Sequence, residues 1–283
     1  MTVNCERREF LLGAAAVLCA GGASAEGQEG GSDSIRIAHL ADPQFGFEAS
    51  DDPRPDDAQA YERDLARFEK TIDAVNALKP DLCFIAGDMT HRYNDLERDW
   101  PRLLKRIKVP LVVSPGNHDL CNPVRRDLVE RFIKVFGYEY TSVKVGPWRF
   151  ISGNSNYWYP TDAADLKERY EAWFVRELAS AKEKGEPVIL GAHHAPFMRS
   201  MDEGNSYGNC PYALRQKRVA LYADSGVRYF LAGHAHRVFM RAVKNIMVFN
   251  AASTCRNFDD TPFGFRLFTA RADGTHSWDF RPI

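Results

Sequence analysis

Residues 111–119 read LVVSPGNHD, in which an apolar run is followed directly by a cluster of polar residues. The apolar part predicts a buried strand, Leu111–Val113, because a short apolar run without helical spacing suits a strand covered on both faces. The polar part places an amide, an imidazole and a carboxylate just beyond the end of that strand. Open α/β sheets hold their functional sites at this position, so the stretch predicts both an α/β fold and a site.

Four further polar clusters follow predicted strands in the same way. They are Asp42-Pro43-Gln44 after Ile35–Ala41, Gly87-Asp88 after Leu82–Ala86, His193-His194-Ala195-Pro196 after Val188–Ala192, and Gly233-His234-Ala235-His236 after Val227–Ala232. A single Asp or His beyond a strand is commonly a turn residue with no further role. Several clusters in order, each at a strand end, instead indicate one site assembled from several loops.

Helical segments alternate with these strands along most of the chain. Apolar residues at spacings of three and four predict a helix over 57–78, which Pro80 ends. Further helices are predicted over 94–107, 124–136, 163–184 and 211–223, and a hairpin pairs 141–145 with 148–152. The tail has only short predicted strands, over 238–243, 246–251, 265–269 and 277–280. We therefore expect a single α/β domain over 35–283 with a β-rich C-terminal part.

The composition is that of an ordinary globular protein. Among 283 residues, 45% are hydrophobic and 27% are charged, which argues against a disordered chain or a membrane bundle. The formal net charge is -1, so the chain lacks the positive field with which proteins hold long nucleic acids. No nucleic-acid partner is expected, and a nuclease is the weakest of the enzyme interpretations.

Residues 1–25 are predicted to be a targeting signal and not part of the fold. Arg7-Arg8 precedes an apolar run, Phe10–Ala20, which is shorter than the ~20 residues of a membrane span. The segment resembles a twin-arginine (Tat) signal with cleavage after Ala25. The resemblance implies the twin-arginine export machinery as a partner, a periplasmic or secreted protein, and no stable membrane anchor after cleavage. The alternative is an uncleaved anchor or a chance helix. Residues 26–34 are predicted to be a flexible linker.

Cleavage would leave four cysteines, Cys83, Cys121, Cys210 and Cys255. They allow three complete pairings in an oxidising compartment, and the sequence does not choose among these pairings. Cys83 lies in an apolar run and is predicted to be a buried small side chain. A bridge between Cys121 and Cys210 is suggested only by their placement in predicted surface loops.

The residue types in the polar clusters are those of a two-metal site. Carboxylate, amide oxygen and imidazole ligands together suit Mn, Fe or Zn better than calcium. Two such ions about 3.5–4 Å apart can clamp a phosphoryl group and convert a bridging water into a hydroxide nucleophile. Asp88 is the natural bridge, because one carboxylate can give an oxygen to each ion.

The ordered motifs resemble those of the calcineurin-like metallophosphoesterase superfamily over about residues 35–240. The resemblance implies a four-layer α/β fold, a β-sandwich flanked by helices, that hydrolyses phosphate esters with two divalent metal ions. It implies ligands to one ion from Asp42, Gln44, Asp88 and His236, and to the other from Asp88, Asn117, His194 and His234. His118 resembles the catalytic histidine, which stabilises the attacked phosphoryl group or protonates the leaving oxygen, and Asp119 is placed to orient it.

Two ligand positions remain open. The superfamily usually has Asp-x-His at the first motif, whereas this chain, like a subset of the superfamily, has Asp42-Pro43-Gln44. Gln44 either ligates through its weaker amide oxygen or only hydrogen-bonds a water. The single histidine of the fourth motif is usually followed two residues later by proline, which favours His194 as ligand and leaves His193 a supporting role.

Substrate contacts are predicted at Arg92 and Asn154. Arg92 falls where phosphoprotein phosphatases of the superfamily carry a phosphate-binding arginine, and a solvated loop arginine is the alternative. Asn154 begins a polar and aromatic segment that either lines the mouth of the site or packs as a loop. Residues 199–211 are a candidate lid. His91 stands where purple acid phosphatases carry a tyrosine, so a purple Fe(III) centre is not expected.

The sequence therefore predicts an exported, dinuclear metal-dependent phosphoesterase in which a metal-bridged hydroxide attacks phosphorus and His118 assists. The choice between phosphomonoesters and phosphodiesters stays open. The alternative from a different class is a metal- or phosphate-binding protein of the same fold with lost or weak turnover. Only Gln44 favours that alternative, and the Asn117-His118 pair argues against it.

Overall fold

The computed structural model describes residues 33–47 and 57–283. The predicted targeting signal and most of the predicted linker lie outside the described residues. Ser34, at the end of that linker, is the first residue of the first strand. Within the described residues, no helix combines the length and the apolar character that a membrane crossing requires.

The strands are β1 Ser34–Leu40, β2 Leu82–Ala86, β3 Leu111–Ser114, β4 Thr141–Val145, β5 Trp148–Ser152, β6 Val188–Gly191, β7 Val227–Ala232, β8 Phe239–Val243, β9 Ile246–Asn250, β10 Gly264–Arg271 and β11 His276–Pro282. The helices are α1 Asp57–Leu78, α2 Leu96–Arg106, α3 Asn117–Leu120, α4 Arg126–Phe136, α5 Ala164–Glu183 and α6 Tyr212–Asp224. Two short 3₁₀ turns, Tyr93–Asp95 and Ser155–Trp158, complete the list of elements in the described residues.

The strands form two mixed sheets that pack face to face. The first sheet has five strands in the order β11-β10-β1-β2-β3, and the second has six in the order β4-β5-β6-β7-β9-β8. Neighbours among β1, β2 and β3 are parallel, as are those among β5, β6, β7 and β9. Parallel strands end at the same edge of a sheet, so the loops after them are gathered into one region. The predicted α/β sandwich with a β-rich C-terminal part is confirmed.

Burial on both faces explains why the central strands have continuous apolar sequences. Every residue of β2 is buried, and successive side chains of a strand point to opposite faces. Leu82 and Phe84 belong to the cluster between the sheets, together with Phe150 of the second sheet. Ile85 instead belongs to the cluster on the helical side, with Phe68 of α1. Helices therefore cover the outer faces and the sandwich has an apolar interior.

The structure corrects two expectations about the cysteines and adds one short helix. The four cysteines Cys83, Cys121, Cys210 and Cys255 are free, so the Cys121–Cys210 bridge is not formed. Cys210 is fully buried and its backbone N–H donates to the carbonyl oxygen of Pro196, so it does not lie in a surface loop. Helix α3 was not expected, because four residues are too few to show helical periodicity in the sequence.

Candidate metal centre

The polar clusters follow the carboxyl ends of parallel strands from both sheets and meet at one edge of the sandwich. Asp42 follows β1, Asp88 follows β2, Asn117 follows β3, His193 follows β6 and His234 follows β7. The backbone N–H of His234 donates to Asp42 Oδ2 at 2.9 Å, which ties the two sheets together here. The structure thus brings the five strand-end clusters to one place, while the role of each residue as a ligand stays a prediction.

Backbone strain is concentrated at the predicted ligands. The φ angle lies in the left-handed region, between 37° and 68°, at Asp42, Gln44, Asp88, His234 and His236. Such conformations cost about 1–3 kcal/mol each at residues other than glycine, and they cluster at functional sites, where the surroundings hold them. The neighbouring glycines leave the space these loops need. A Cβ atom on Gly116 would lie 2.0 Å from Asp88 Oδ1, so no other residue fits beside this carboxylate.

One group of potential ligand atoms comes from Asp42, Asp88 and His236, and these atoms lie within 4.8 Å of one another. His236 Nε2 is 3.6 Å from Asp42 Oδ1, while its Nδ1 is 2.5 Å from the carbonyl oxygen of Arg256. A carbonyl oxygen only accepts hydrogen bonds, so the proton of this imidazole is on Nδ1. The lone pair of Nε2 then faces the carboxylates, as a metal ligand requires.

Gln44 supplies an independent sign that this group fits a cation. Its side chain is 1% exposed, and its Oε1 atom has no hydrogen-bond partner among the described residues. A buried amide oxygen without a partner is costly, and a metal ion would satisfy it. The atom therefore needs a partner from outside the described residues, and either a metal ion or a water bound to one would supply it.

The second group consists of His193, His194 and His234, whose ring nitrogens also lie within 4.8 Å of one another. His193 Nε2 is 3.0 Å from Asn117 Oδ1, 3.1 Å from His234 Nδ1 and 3.3 Å from Asp88 Oδ2. His193 Nδ1 lies 2.6 Å from the carbonyl oxygen of Ala86, so in the neutral form of this imidazole the proton is on Nδ1 and Nε2 has the lone pair. His193 therefore stands at the centre of this group.

His194 occupies a different position in the same cluster. Its Nδ1 lies 2.9 Å from Ser155 Oγ, and the same hydroxyl accepts the backbone N–H of His194 at 2.9 Å. Tyr159 packs edge-on against the His194 ring, with centroids 5.2 Å apart. Sequence reasoning placed Ser155 and Tyr159 in a segment that either lines the mouth of the site or packs as a loop, and it did not predict their contacts with His194.

Burial and mutual attraction set the charges in the cluster. Burial disfavours ionisation of Asp88, but the imidazoles of His193 and His118 outweigh it and hold the pKa of this carboxyl well below its usual range. Burial raises the pKa of Asp42. Burial also opposes the charge on His193, yet Asp88 and Asp42 raise its pKa to about 9, whereas burial beside His193 lowers the pKa of His234 to about 3. The carboxylates thus stabilise positive charge at the centre of the cluster.

His118 lies next to these ligands and remains partly exposed. Its backbone N–H donates to Asp88 Oδ1 at 2.8 Å, and its Nδ1 is 3.0 Å from the carbonyl oxygen of His91. The carbonyl oxygen fixes a proton on Nδ1, so Nε2 is the atom that can exchange a proton with a substrate.

The role predicted for Asp119 is corrected by its contacts. Its carboxylate accepts the backbone N–H groups of Gly116 at 2.7 Å and Met89 at 2.9 Å. Burial, with the nearby charge of Asp88, raises the pKa of Asp119 to about 7. Asp119 therefore joins the loops after β2 and β3, and it is the carbonyl group of His91 that orients His118.

The two residues predicted to contact the substrate differ in exposure to solvent. Arg92 is exposed and follows His91, next to the turn that orients His118. Asn154 is fully buried: it donates to Glu139 Oε2 at 2.9 Å, and its oxygen accepts the backbone N–H of Asn156 at 3.1 Å. Because its polar atoms are used inside the protein, the structure does not offer Asn154 to a substrate, and the packed-loop alternative describes it.

Tyr207 is a site residue that sequence reasoning did not single out. It lies in the polar segment 199–211, its side chain is 64% exposed, and its hydroxyl accepts a hydrogen bond from Asn117 Nδ2 at 2.7 Å. Its carbonyl oxygen is 3.1 Å from His234 Nε2. The fully buried Arg215 holds the segment by donating to the carbonyl oxygens of Met201 and Glu203. The position of a tyrosine in a loop gives no sequence signal for such contacts.

The fold and this edge of buried carboxylates, amides and imidazoles define a phosphoester hydrolase of the two-sheet α/β class. Residues 35–238 match the family model described as calcineurin-like phosphoesterase, and the chain belongs to that family. It is therefore a hydrolase that acts on phosphoric ester bonds, with two candidate metal sites.

The individual proteins that this chain resembles share 30% or less of their sequence with it. The chain is 30% identical over 248 residues to "Serine/threonine-protein phosphatase CPPED1" of Mus musculus, which covers 82% of this chain and 79% of the relative. It is 26% identical over 215 residues to "Probable cyclic nucleotide phosphodiesterase" of Vesicomyosocius okutanii, covering 73% of this chain and 84% of the relative. The solved structure of purple acid phosphatase PPD1 from yellow lupin has a TM-score of 0.59 at 15% identity, covering 89% of this chain and 52% of that one. That likeness shows the fold alone.

Proposed function

We propose that this chain is an exported phosphoesterase that works with two divalent metal ions, which would share Asp88 as a ligand. The observation that carries the proposal is the pair of ligand groups, one from Asp42, Asp88 and His236 and the other from three histidines. Asp88 Oδ2 lies only 3.3 Å from His193 Nε2, so one carboxylate reaches both groups. A bridging carboxylate is what two ions at close separation need.

The contacts support a ligand set that differs from the sequence prediction at one position. We assign one ion to Asp42, Gln44, Asp88 and His236, and the other to Asp88, Asn117, His193 and His234. We prefer His193 to His194, which belongs to the same group of three histidines, because the Nε2 atom of His193 meets the oxygens of Asp88 and Asn117. Oxygen and imidazole donors in these proportions suit Mn, Fe or Zn.

In the proposed hydrolysis, the metal ions and the residues around His118 have separate roles. The chemistry that two divalent ions supply, when bound, is activation of water and neutralisation of the phosphoryl oxygens. Asp88 and the carbonyl group of His91 hold His118 in place, with its Nε2 free to face the substrate. As the bond between phosphorus and the ester oxygen breaks, a protonated His118 gives that oxygen its proton, so that an alcohol leaves.

The first experiment is a hydrolysis assay on the purified chain. We expect metal-stripped protein to be inactive, and readdition of Mn, Fe or Zn to restore turnover of a nitrophenyl phosphate monoester or the matching diester. The names of the two relatives point to one ester class each, so both esters are assayed side by side. Full activity after complete metal removal would contradict the proposal. Two bound ions without turnover of either ester would favour the metal-binding alternative.

Tyr207→Phe tests the assignment of Asn117 as a ligand. The change removes only the hydroxyl that accepts from Asn117 Nδ2 and leaves the carbonyl contact to His234 in place. Groups that orient metal ligands typically contribute 10–100-fold to metal affinity, so we expect a loss of about tenfold in a metal titration. Tyr212→Phe is the matched control, since Tyr212 is an exposed tyrosine at the start of α6. Equal affinity in the Tyr207 and Tyr212 variants would argue against Asn117 as a ligand.

Export is the second part of the proposal, and its support is the sequence of residues 1–25. The twin arginines, the short apolar run and the small residues before Glu26 are the features of a twin-arginine signal. Expression in a bacterial host with that pathway, followed by fractionation and N-terminal sequencing, tests this part. A periplasmic product that begins at Glu26 is expected, and retention of an intact N-terminus in the cytoplasm would contradict it.

A further inference from the structure

The proposed mechanism fixes where the leaving group of the substrate lies. His118 can protonate the leaving oxygen only at hydrogen-bond distance, so the leaving group begins beside the His118 ring. The ring of His91 is stacked on that of His118, with centroids 5.0 Å apart and planes at 28°. The ring of Phe47 follows, with its centroid 5.0 Å from His91 and 6.4 Å from His118.

Aromatic rings continue from there to the surface. Phe47 lies 5.3 Å from the ring of His236 and 6.1 Å from that of Phe258, nearly perpendicular to the latter. Phe258 packs on His236 at 4.9 Å with planes at 31°, and its backbone N–H donates to the carbonyl oxygen of His236 at 2.9 Å. We call Phe47, His91 and Phe258 the aromatic rim. The rim runs without a break from His118 to the outside of the protein.

The outer end of the aromatic rim reaches the protein surface at Phe258. Phe258 is 47% exposed although it adjoins a buried predicted metal ligand, His236. The guanidinium group of Arg256 lies 5.6 Å from the ring centroids of both Phe47 and Phe258. The rim therefore places aromatic rings, with a guanidinium group beside two of them, next to the position of the leaving group. A planar, electron-rich ring suits that surface, because it can stack on phenylalanine and interact with a guanidinium.

We propose that the aromatic rim selects phosphoesters whose leaving alcohol carries a planar ring, as in a nucleoside, over those with a simple sugar or alkyl alcohol. The inference rests on the proposed function, because it takes the leaving group to be at His118. In the reaction, water oxygen bonds to phosphorus, the bond from phosphorus to the 5′ oxygen breaks, and that oxygen takes a proton. During the attack the base of the nucleoside stacks on Phe258, and the nucleoside then leaves.

Adenosine 5′-monophosphate and ribose 5-phosphate test the inference, because they release the same 5′ oxygen and differ in the base. If diesters are the preferred class, the methyl esters of the two compounds take their place, with release of adenosine or ribose as the signal. Stacking of one base on an aromatic side chain is commonly worth about tenfold or more. We therefore expect kcat/KM to be about tenfold higher for the compound with the base.

Variants of Phe258 test whether the preference for the compound with the base depends on the Phe258 ring. Phe258→Ala is expected to bring the ratio of the two kcat/KM values close to one, Phe258→Leu to lower it almost as far, and Phe258→Trp to keep it. Val175→Ala is the control, since Val175 has the same exposed fraction of 47% and lies on α5. A ratio near one in the unaltered protein, or a ratio that Phe258→Ala or Phe258→Leu leaves intact, would overturn the inference while the phosphoesterase function stands. Absence of turnover with every ester and metal would instead overturn the proposed function.

Discussion

Asp88→Asn is expected to lower turnover by more than about a hundredfold and to reduce the bound metal from two ions to one or none. Asp88 is fully buried between the two ligand groups, and its Oδ2 atom lies 3.3 Å from His193 Nε2. Its other oxygen accepts the backbone N–H of His118 at 2.8 Å. Asparagine keeps the size of the side chain but removes the charge that two cations share, and loss of even supporting groups costs 10–100-fold.

Metal content and activity, measured on the same preparation, check this prediction. Elemental analysis after dialysis gives the number of ions per chain, and the ester assay gives kcat. Asp279→Asn is the control, because Asp279 is an exposed carboxylate on β11 that pairs with Arg281. The control should retain two ions and full turnover. Two tightly held ions in Asp88→Asn would show that this carboxylate does not bridge them.

The elements that sequence reasoning located best are those with a strong local pattern. The hairpin of β4 and β5 has the predicted bounds, Thr141–Val145 and Trp148–Ser152, because Gly146-Pro147 marks its turn. Strand β2 was recognised from five apolar residues, since burial on both faces leaves no polar position. The placement of β10 beside β1 had no local signal, because antiparallel pairing between distant segments depends on the whole fold.

In the candidate site, too, some features followed from a sequence pattern and others did not. The strand-end pattern brought together Asp42, Asp88, Asn117 and the histidines, because parallel strands end at one edge. Our proposal of His193 in place of His194 depends on the direction of the two rings, which follows from their contacts with the carbonyl group of Ala86 and the hydroxyl of Ser155. A spacing rule based on proline contains no information about ring direction.

The contacts of Asp119 and Tyr207 are further features of the site that could not be predicted from the sequence. Asp119 follows His118 in the chain, but on the short helix α3 adjacent side chains point in different directions. Its carboxylate therefore reaches Gly116 and Met89 and not the imidazole. Tyr207 reaches Asn117 across 90 positions of sequence, and such a contact becomes visible only in the folded chain.

His118→Ala is expected to lower kcat by about 10²–10⁴-fold while both ions stay bound, because a positioned general acid typically contributes that much. None of the proposed ligand atoms belongs to His118, and its backbone N–H contact with Asp88 survives the change. The size of the loss should depend on the ester. A nitrophenol leaves readily as an anion and needs little help, whereas an alkyl alcohol needs a proton from His118 as the bond breaks.

The comparison of the two leaving groups separates catalysis from a structural effect. If His118 donates the proton, His118→Ala loses much more activity toward the alkyl ester than toward the nitrophenyl ester, at unchanged metal content. A histidine that only supports the fold would lower both rates equally. His276→Ala is the matched control, since His276 lies on β11 and packs against Tyr229 and Phe249. Unchanged turnover of the alkyl ester in His118→Ala would remove His118 from the mechanism, and loss of an ion would make it part of the metal site.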